Sequence, residues 1–467
     1  MSTLVGDGDT IAAIATGPGA GGVGIIRLSG PKAFLVAQTI TNGSASTKAH
    51  PVIRPRHAHY VPIYDQQGES LDQGLLIQFP GPHSFTGEDV AELHCHGGPV
   101  LLRTILRECI NLGARQAGPG EFSQRAFLNN KIDLVQAEAI ADLINSSTEA
   151  AARSASRSLS GAFSDQVHSL LEQLIRLRVF IEAAIDFPEE EIDFIADSDV
   201  LERLEMIEDS IARLLLGARR GRTLRDGLKL VIVGAPNAGK SSLLNQLAEQ
   251  DAAIVTDIAG TTRDVLREHI QIEGLPLHIV DTAGLRDSSD AIEQEGIRRA
   301  RSEMLSADHI LLVVDNSINN ANRSSAAELI AAHKDDLPDA VPVTVIRNKC
   351  DLSNNQPALM LQPSMTEIYL SALKGDGIEL LRQHLLATAG LTASEASDFS
   401  ARERHVLALE DCAKHLRQGL MQLKEYGAAE LIAEDLRYAQ DSLGSITGTF
   451  TSDELLGEIF SNFCIGK

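Results

Sequence analysis

Leu228-Lys-Leu-Val-Ile-Val-Gly-Ala-Pro-Asn-Ala-Gly-Lys-Ser-Ser242 is an apolar, β-branched run that passes into a glycine-bracketed turn and then a helix start. The spacing Gly234-x4-Gly239-Lys240-Ser241 fits a phosphate-binding loop in the context such a loop needs, a strand before and a helix after. The two glycines let the backbone curl so that successive N–H groups point inward at phosphate oxygens, with the positive end of the helix behind them. The expected contacts run from Asn237 through Ala238, Gly239, Lys240 and Ser241 to Ser242. Lys240 would reach the outer phosphates, where it also counts as a catalytic candidate, and the Ser241 hydroxyl would ligate magnesium.

Further motifs follow in the order and spacing of a GTPase. Gly260-Thr261-Thr262-Arg263-Asp264 is a polar loop able to bring a threonine hydroxyl and carbonyl to magnesium, with Thr262 as the expected ligand. Two strand-like runs, 267–272 and 277–280, are joined at Glu273-Gly274 like a hairpin. The second ends in Asp281-Thr282-Ala283-Gly284, where Asp281 could hold magnesium through water and Gly284 could turn its N–H to the γ-phosphate. A further strand, 343–346, delivers Asn348-Lys349-Cys350-Asp351. The Asp351 carboxylate can accept from guanine N1–H and the exocyclic amine, whereas adenine would leave it unpaired, so the expected nucleotide is GTP. Ser371-Ala372-Leu373 is the expected backbone contact to the base, with leucine where lysine is common.

The 41 basic and 64 acidic residues give a formal charge of −23, so any RNA contact must be local or shared with a partner. Hydrophobic content is 43%, ample for globular cores, and no apolar run is long enough to span a bilayer. Residues 1–10 lack a signal-peptide pattern, and the five cysteines form no C-x-x-C pair, which together point to a reduced, cytoplasmic setting. His94-Cys95-His96 has the look of a metal site, but only its two histidines would share a strand face; structural histidines are the preferred reading. Arg213, Arg219, Arg220, Arg222 and Arg225 form one dense basic cluster, either a contact for RNA or a partner, or a solvated helix end.

Near the N-terminus, 11–15 and 25–28 read as strands around a glycine-rich segment. Gly19-x-Gly21-x-x-Gly24 formally fits a dinucleotide fingerprint, but β-branched residues continue where a helix would have to open, so strand-turn-strand is expected. Short strands at 57–63 and 74–79 and a helix at 99–112 complete an α+β domain. Between Pro119 and Pro188, and again after Ser364, proline is absent and helical spacing dominates. The expectation is a multidomain chain: an N-terminal α+β domain (1–125), an all-α domain built from two segments (126–225 and 389–467), and an inserted α/β P-loop domain (226–388), with 219–226 as entry linker.

Several stretches make the chain resemble the MnmE (TrmE) family of bacterial tRNA-modification GTPases along its whole length. They are Gly21-Gly-Val-Gly24, Phe79-Pro-Gly-Pro82 with Ser84-Phe-Thr-Gly-Glu-Asp89, Pro119-Gly-Glu-Phe122, Ala183-Ala-Ile-Asp-Phe187, Asp257-Ile-Ala-Gly-Thr-Thr-Arg-Asp264 and the terminal Cys464-Ile-Gly-Lys467. The resemblance implies a homodimer formed through the N-terminal domain and a flavoprotein partner, MnmG, which brings FAD and NADH. It also implies a tRNA whose wobble uridine receives a (carboxymethyl)aminomethyl group at position five, and methylene-tetrahydrofolate as one-carbon source. By motif position it assigns folate contacts to Arg27, Glu92, Lys131 and Lys467.

The position after the Asp-x-x-Gly motif, where many GTPases carry a water-orienting glutamine, is Leu285, which cannot do this work. The resemblance implies a potassium ion there instead, held by Asn237, Thr256, Ile258 and Thr261, in a loop whose Asp257 and Ala259 also touch the nucleotide. It assigns the water-positioning role to Glu293, which on residue chemistry alone reads as a solvated switch residue. Arg286 and Cys464 are secondary catalytic candidates; for Cys464 packing of the tail is at least as good a reading. Two rivals stand beside this reading: a ribosome-assembly GTPase acting on rRNA, which would carry a basic RNA-binding module, and a dynamin-like membrane remodeller, which would carry a membrane-binding face.

Overall fold

Inward apolar residues alternate with outward polar ones along the N-terminal strands, which fixes one face of each against a core. The computed structural model describes residues 8–42, 52–186, 200–250, 267–281, 304–317, 324–332, 337–338, 341–353, 355–362, 365–391, 399–426, 429–449, 453–461 and 463–466. The chain divides into two units, Met1–Ala141 with Gln440–Lys467, and Asp142–Ala439.

In the first unit β1 (Ile11–Ile14), β2 (Gly21–Ser29), β3 (His59–Tyr64), β4 (Ser70–Phe79), β5 (Val90–Gly97) and β6 (Arg115–Gln116) form one sheet in the order β3-β4-β5-β2-β1-β6. All neighbours are antiparallel except β1 and β6. The glycines at 21 and 24 lie within β2, across an irregularity in its pairing with β5, so no helix opens there and the dinucleotide reading fails as expected. Ile26, Leu28, Leu76 and Leu93 pack with residues of helices Ala33–Asn42 and Pro99–Asn111. The chain's end belongs to this unit. Leu456, Ile459, Phe460 and Phe463 cluster with Leu134 and Ala137, and Ile465 pairs with Pro119.

Histidines 94 and 96 have separate partners: Glu92 Oε2 for His94 at 3.1 Å and Asp72 Oδ1 for His96 at 2.7 Å. Cys95 lies in the core between them, and no group of three or more His, Cys, Asp or Glu suited to a metal occurs among the described residues. Burial pushes the thiols of Cys95, Cys109 and Cys412 up to about 12, so they pack as apolar groups.

The second unit holds β7 (Leu228–Gly234), β8 (Arg267–Ile272), β9 (Leu275–Asp281), β10 (His309–Asp315), β11 (Val343–Asn348), β12 (Ala358–Gln362) and β13 (Met365–Tyr369). Their order is β12-β13-β11-β10-β7-β9-β8, parallel in the middle, with antiparallel β12 and β8 at the edges. The β8–β9 connection is a two-residue turn with Glu273 at φ 48° and Gly274 at φ 88°, the geometry that suits the twist of a hairpin. Apolar side chains of β7, β9, β10 and β11 fill cores on both faces, as a central parallel sheet requires.

Residues 219–226 are not a linker. Helix Val200–Asp226 runs unbroken to Asp226 because its arginines find acidic partners on helix Glu403–Tyr426. Arg219 bonds Glu410 at 2.6 Å, Arg222 bonds Glu403, and nearer the other end Glu208 takes Arg417 at 3.1 Å and Glu205 takes Lys424 at 2.9 Å. The falling partner numbers make the two helices antiparallel. Arg225 turns to Asp142 at 2.8 Å and to Asp226 at 2.6 Å. Neither reading of the arginine cluster describes Arg219, Arg222 and Arg225, which pair within the chain instead.

Candidate functional site

Three parallel strands, β7, β10 and β11, end side by side at Gly234, Asp315 and Asn348, which sets their following loops around one crevice. Ligands of open parallel sheets bind at that edge. The loop after β7 leads into helix Lys240–Gln250, and Asn237 sits within it at φ 62°. At Gly239, φ is 98° and a Cβ would come within 2.1 Å of Asn348 Nδ2, so only glycine fits. Asn348 in turn knits the site: Nδ2 donates to Ala238 O at 2.8 Å, and Oδ1 accepts from Lys349 N and Ala372 N at 2.8 and 2.9 Å.

Lys240 Nζ donates to the carbonyls of Gly234 and Ala235 at 2.9 and 3.0 Å, which fixes the ammonium beside the loop. Across the crevice Lys349 Nζ donates to Asn237 O at 2.8 Å and to Asp315 Oδ2 at 2.6 Å. Asp351 lines the same cavity. A hydrogen bond from Ser371 holds its carboxyl below the ordinary range against the upward push of desolvation, helped by Lys374, whose Nζ stands 3.4 Å from Oδ2. Ser371 is fully buried and Leu373 is 82% exposed. The cavity so formed measures about 640 Å³, and its lining includes Asn237, Lys240, Ser241, Ser242, Asp351 and Leu373. A strand-to-helix glycine loop and the Asp351 carboxylate lining one cavity are the arrangement of a P-loop protein for a guanine nucleotide.

Asp281 closes β9, beside Ile232 of β7. Thr256, Asp257, Ile258, Ala259, Gly260, Thr261, Thr262, Thr282, Ala283, Gly284, Arg286, Glu293 and Lys467 lie outside the described residues. Two residues that sequence reasoning did not pick out pair with residues that line the cavity. Asp315 anchors Lys349, and Lys374 stands one place after the position where a lysine is common and still reaches Asp351.

The N-terminal unit brings together a second constellation. Arg27 on β2 stands opposite Glu92 on β5, and its Nε donates to Glu92 Oε1 at 2.9 Å. Its guanidinium lies 5.7 Å from the ring of Phe85 and 5.8 Å from that of Phe122, and Nη1 donates to Gly466 O at 3.5 Å. The loop carrying Phe85 is rigidly tied: Glu88 Oε2 accepts from Ser29 Oγ at 2.6 Å, Asn129 Nδ2 donates to Thr86 O at 2.7 Å, and Arg125 Nη1 donates to Glu88 at 3.2 Å. Lys131 is exposed, and its stem runs past the same loop, where a Cβ on Gly87 would lie 3.3 Å from Lys131 Cγ. Cys464 is exposed, and its carbonyl accepts from Gly120 N at 3.3 Å.

Comparison with known proteins covers nearly the whole chain. Residues 10–131 match the model of the GTP-binding protein TrmE N-terminus, and residues 134–464 match that of the MnmE helical domain. A tRNA modification GTPase MnmE of Stutzerimonas stutzeri (strain A1501) is 56% identical over 460 residues, covering 98% of this chain and 99% of that protein. The protein of the same description from Vibrio cholerae serotype O1 is 54% identical over 460 residues, with the same coverage. The chain belongs to the MnmE family of tRNA modification GTPases.

Proposed function

We propose that this chain hydrolyses GTP to drive modification of the wobble uridine of certain tRNAs. It acts as a homodimer in complex with the flavoprotein MnmG, which contributes FAD and NADH, and the group installed at position five is aminomethyl or carboxymethylaminomethyl. The observation that carries this reading is the cavity where the phosphate loop faces Asp351, in a chain similar over 98% of its length to tRNA modification GTPases.

In this reading Asp351 accepts guanine's N1–H and amine, and the pairing from Ser371 and Lys374 keeps its carboxylate ionised for that purpose. Lys240 and the N–H groups from Asn237 to Ser242 hold the phosphates, and Ser241 and Thr262 hold magnesium. Asn237 suits a potassium ligand: its carbonyl is occupied by Lys349, which leaves the side-chain oxygen for the cation, with Thr256, Ile258 and Thr261 completing the set. Potassium, when bound, supplies positive charge against the charge developing on the γ-phosphate, as an arginine finger does elsewhere. Glu293 positions the attacking water.

Arg27 and Glu92 fit a folate: the carboxylate can accept pterin N–H groups, and the rings of Phe85 and Phe122 flank the pair. Methylene-tetrahydrofolate, when bound, supplies the one-carbon unit; Lys131 and Lys467 would hold its carboxylates. The domain plan in this reading is three-part, with the GTPase segment 226–388 set between two helical segments. Mass spectrometry of tRNA nucleosides from cells depleted of the protein, and then rescued, tests the function. The position-five modification should vanish and return; an unchanged wobble uridine overturns the reading and makes an rRNA-directed GTPase the leading one. Hydrolysis in potassium compared with sodium tests the cation, and equal rates would overturn its role.

A further inference from the structure

With a net charge of −23, this chain can meet RNA phosphates only at local basic surfaces. Many of its arginines are consumed internally. Arg219, Arg222 and Arg225 pair with acidic residues, and Arg115 and Arg125 pair with Asp9 and Glu121, with Glu88 also on Arg125. The turn that leads into edge strand β3 is different. Arg54, Arg56 and His57 are exposed there, as is His83 on the facing loop, and among the described residues none of the four has a carboxylate partner.

Their hydrogen bonds go to backbone carbonyls and to the ring of His59, and hold the turn in one conformation. Arg56 holds a left-handed φ of 59°, uncommon for a non-glycine residue, while its N–H donates to Gln78 O at 2.8 Å and its Nη2 donates to His83 O at 2.7 Å. Arg54 N donates to His59 Nε2 at 2.9 Å. Next along the strand, Tyr60 leaves 71% of its surface in solvent. Arginines without anionic partners beside exposed imidazoles and an exposed aromatic ring are the combination that single-stranded RNA uses, phosphates on the arginines and bases on the rings.

Position singles out the occupant. His83, held by Arg56, is two residues from Phe85, whose ring lies 5.7 Å from the Arg27 guanidinium. The basic turn is therefore continuous with the site assigned above to the one-carbon donor, which the acceptor uridine must approach. We infer that Arg54, Arg56, His57 and His83, with Tyr60, form an RNA-contacting surface that grips the sugar-phosphate backbone of a tRNA loop and so delivers its base toward Arg27 and Glu92. This inference rests on the proposed tRNA function.

The test uses the full-length chain in complex with its flavoprotein partner and labelled, unmodified tRNA, with affinity read by anisotropy across a salt series. The double variant Arg54→Gln with Arg56→Asn keeps a residue tolerant of positive φ at position 56. The single variant Arg54→Gln leaves the Arg56 contact to His83 intact. The double variant should weaken tRNA binding about tenfold and lower the salt slope by roughly one to two, and the single variant by about one. GTP hydrolysis without tRNA, folate binding and partner binding should not change. Unchanged tRNA affinity and slope would overturn the surface, as would loss of partner binding with tRNA binding intact, which would make the turn a protein interface. If the parent complex itself bound no tRNA, the function would fall with it, an outcome distinct from equal binding by parent and variants.

Discussion

Asp315 accepts from Lys349 at 2.6 Å, and the same ammonium donates to the carbonyl of Asn237 at 2.8 Å. Desolvation pushes the Asp315 carboxyl up, but hydrogen bonds from Lys349 and Ser317 outweigh it and hold the group below the ordinary carboxylate range. The chain Asp315–Lys349–Asn237 thus braces a loop residue kept at φ 62°. Replacing Asp315 by Asn removes a charge-assisted bond worth about 1.5 kcal/mol, so GTP should bind about tenfold more weakly and, under the proposed potassium mechanism, half-activation should move to higher potassium concentration. Titration with a fluorescent GTP analogue and hydrolysis against KCl would measure both. Glu293→Ala should behave otherwise, lowering turnover at least about tenfold with GTP affinity nearly unchanged, a split that equal single-turnover rates would contradict. Residues inside a contiguous motif, such as Lys240 and Asp351, were legible from sequence. Asp315 was not, because its role arises from β10 lying beside β11, and spacing along the chain does not carry adjacency across a sheet.

Elements were legible to the extent that their own side chains dictate them. The β8–β9 hairpin shows in Glu273-Gly274 because the turn needs positive φ at both places. Edge strand β12 was missed: its exposed Met360 and Leu361 break the usual alternation. The end of helix Val200–Asp226 read as a linker because a run of arginines looks solvated until the facing glutamates are known. At the other end of the parallel sheet, His309 of β10 shares Thr344 Oγ1 of β11 with His384 of helix Ile378–Thr388, both at 2.8 Å. Burial and the neighbouring His384 push His309 down to about 4. Between that value and the ordinary 6.5, the unfolded chain binds more protons than the folded one. The contribution to stability is therefore whole above pH 6.5 and shrinks as pH falls toward 4, by on the order of 3 kcal/mol from this histidine. Denaturant unfolding of the parent and of His309→Gln across that window should give a flatter pH dependence in the variant, and parallel curves would rule the histidine out.

At the scale of the molecule, two long-range assignments had no local signal. One is membership of the C-terminal residues in the first unit, carried by Ile459, Phe460 and Phe463 against Leu134. The other is how the second unit closes around its inserted sheet. Asp142, the first residue of that unit, is buried, and its Oδ1 accepts from Arg225 Nε at 2.8 Å and from Arg402 Nη2 at 2.7 Å, while Oδ2 accepts from Ser400 Oγ at 3.2 Å. Arg225 stands just before β7, where the chain enters the sheet, and Arg402 just before helix Glu403–Tyr426, after it has left. One carboxylate therefore ties the way in to the way out. Removing it takes one partner from each of two partly buried guanidinium groups, so Asp142→Ala should cost about 2 kcal/mol in chemical unfolding. Arg225→Ala and Arg402→Ala each leave the carboxylate the other arginine and Ser400, so each should cost less. Because both arginines converge on the same oxygen, the loss in the double variant should exceed the sum of the single losses, by about 1 kcal/mol. Additive losses would mean that the two ends of the inserted segment are held independently.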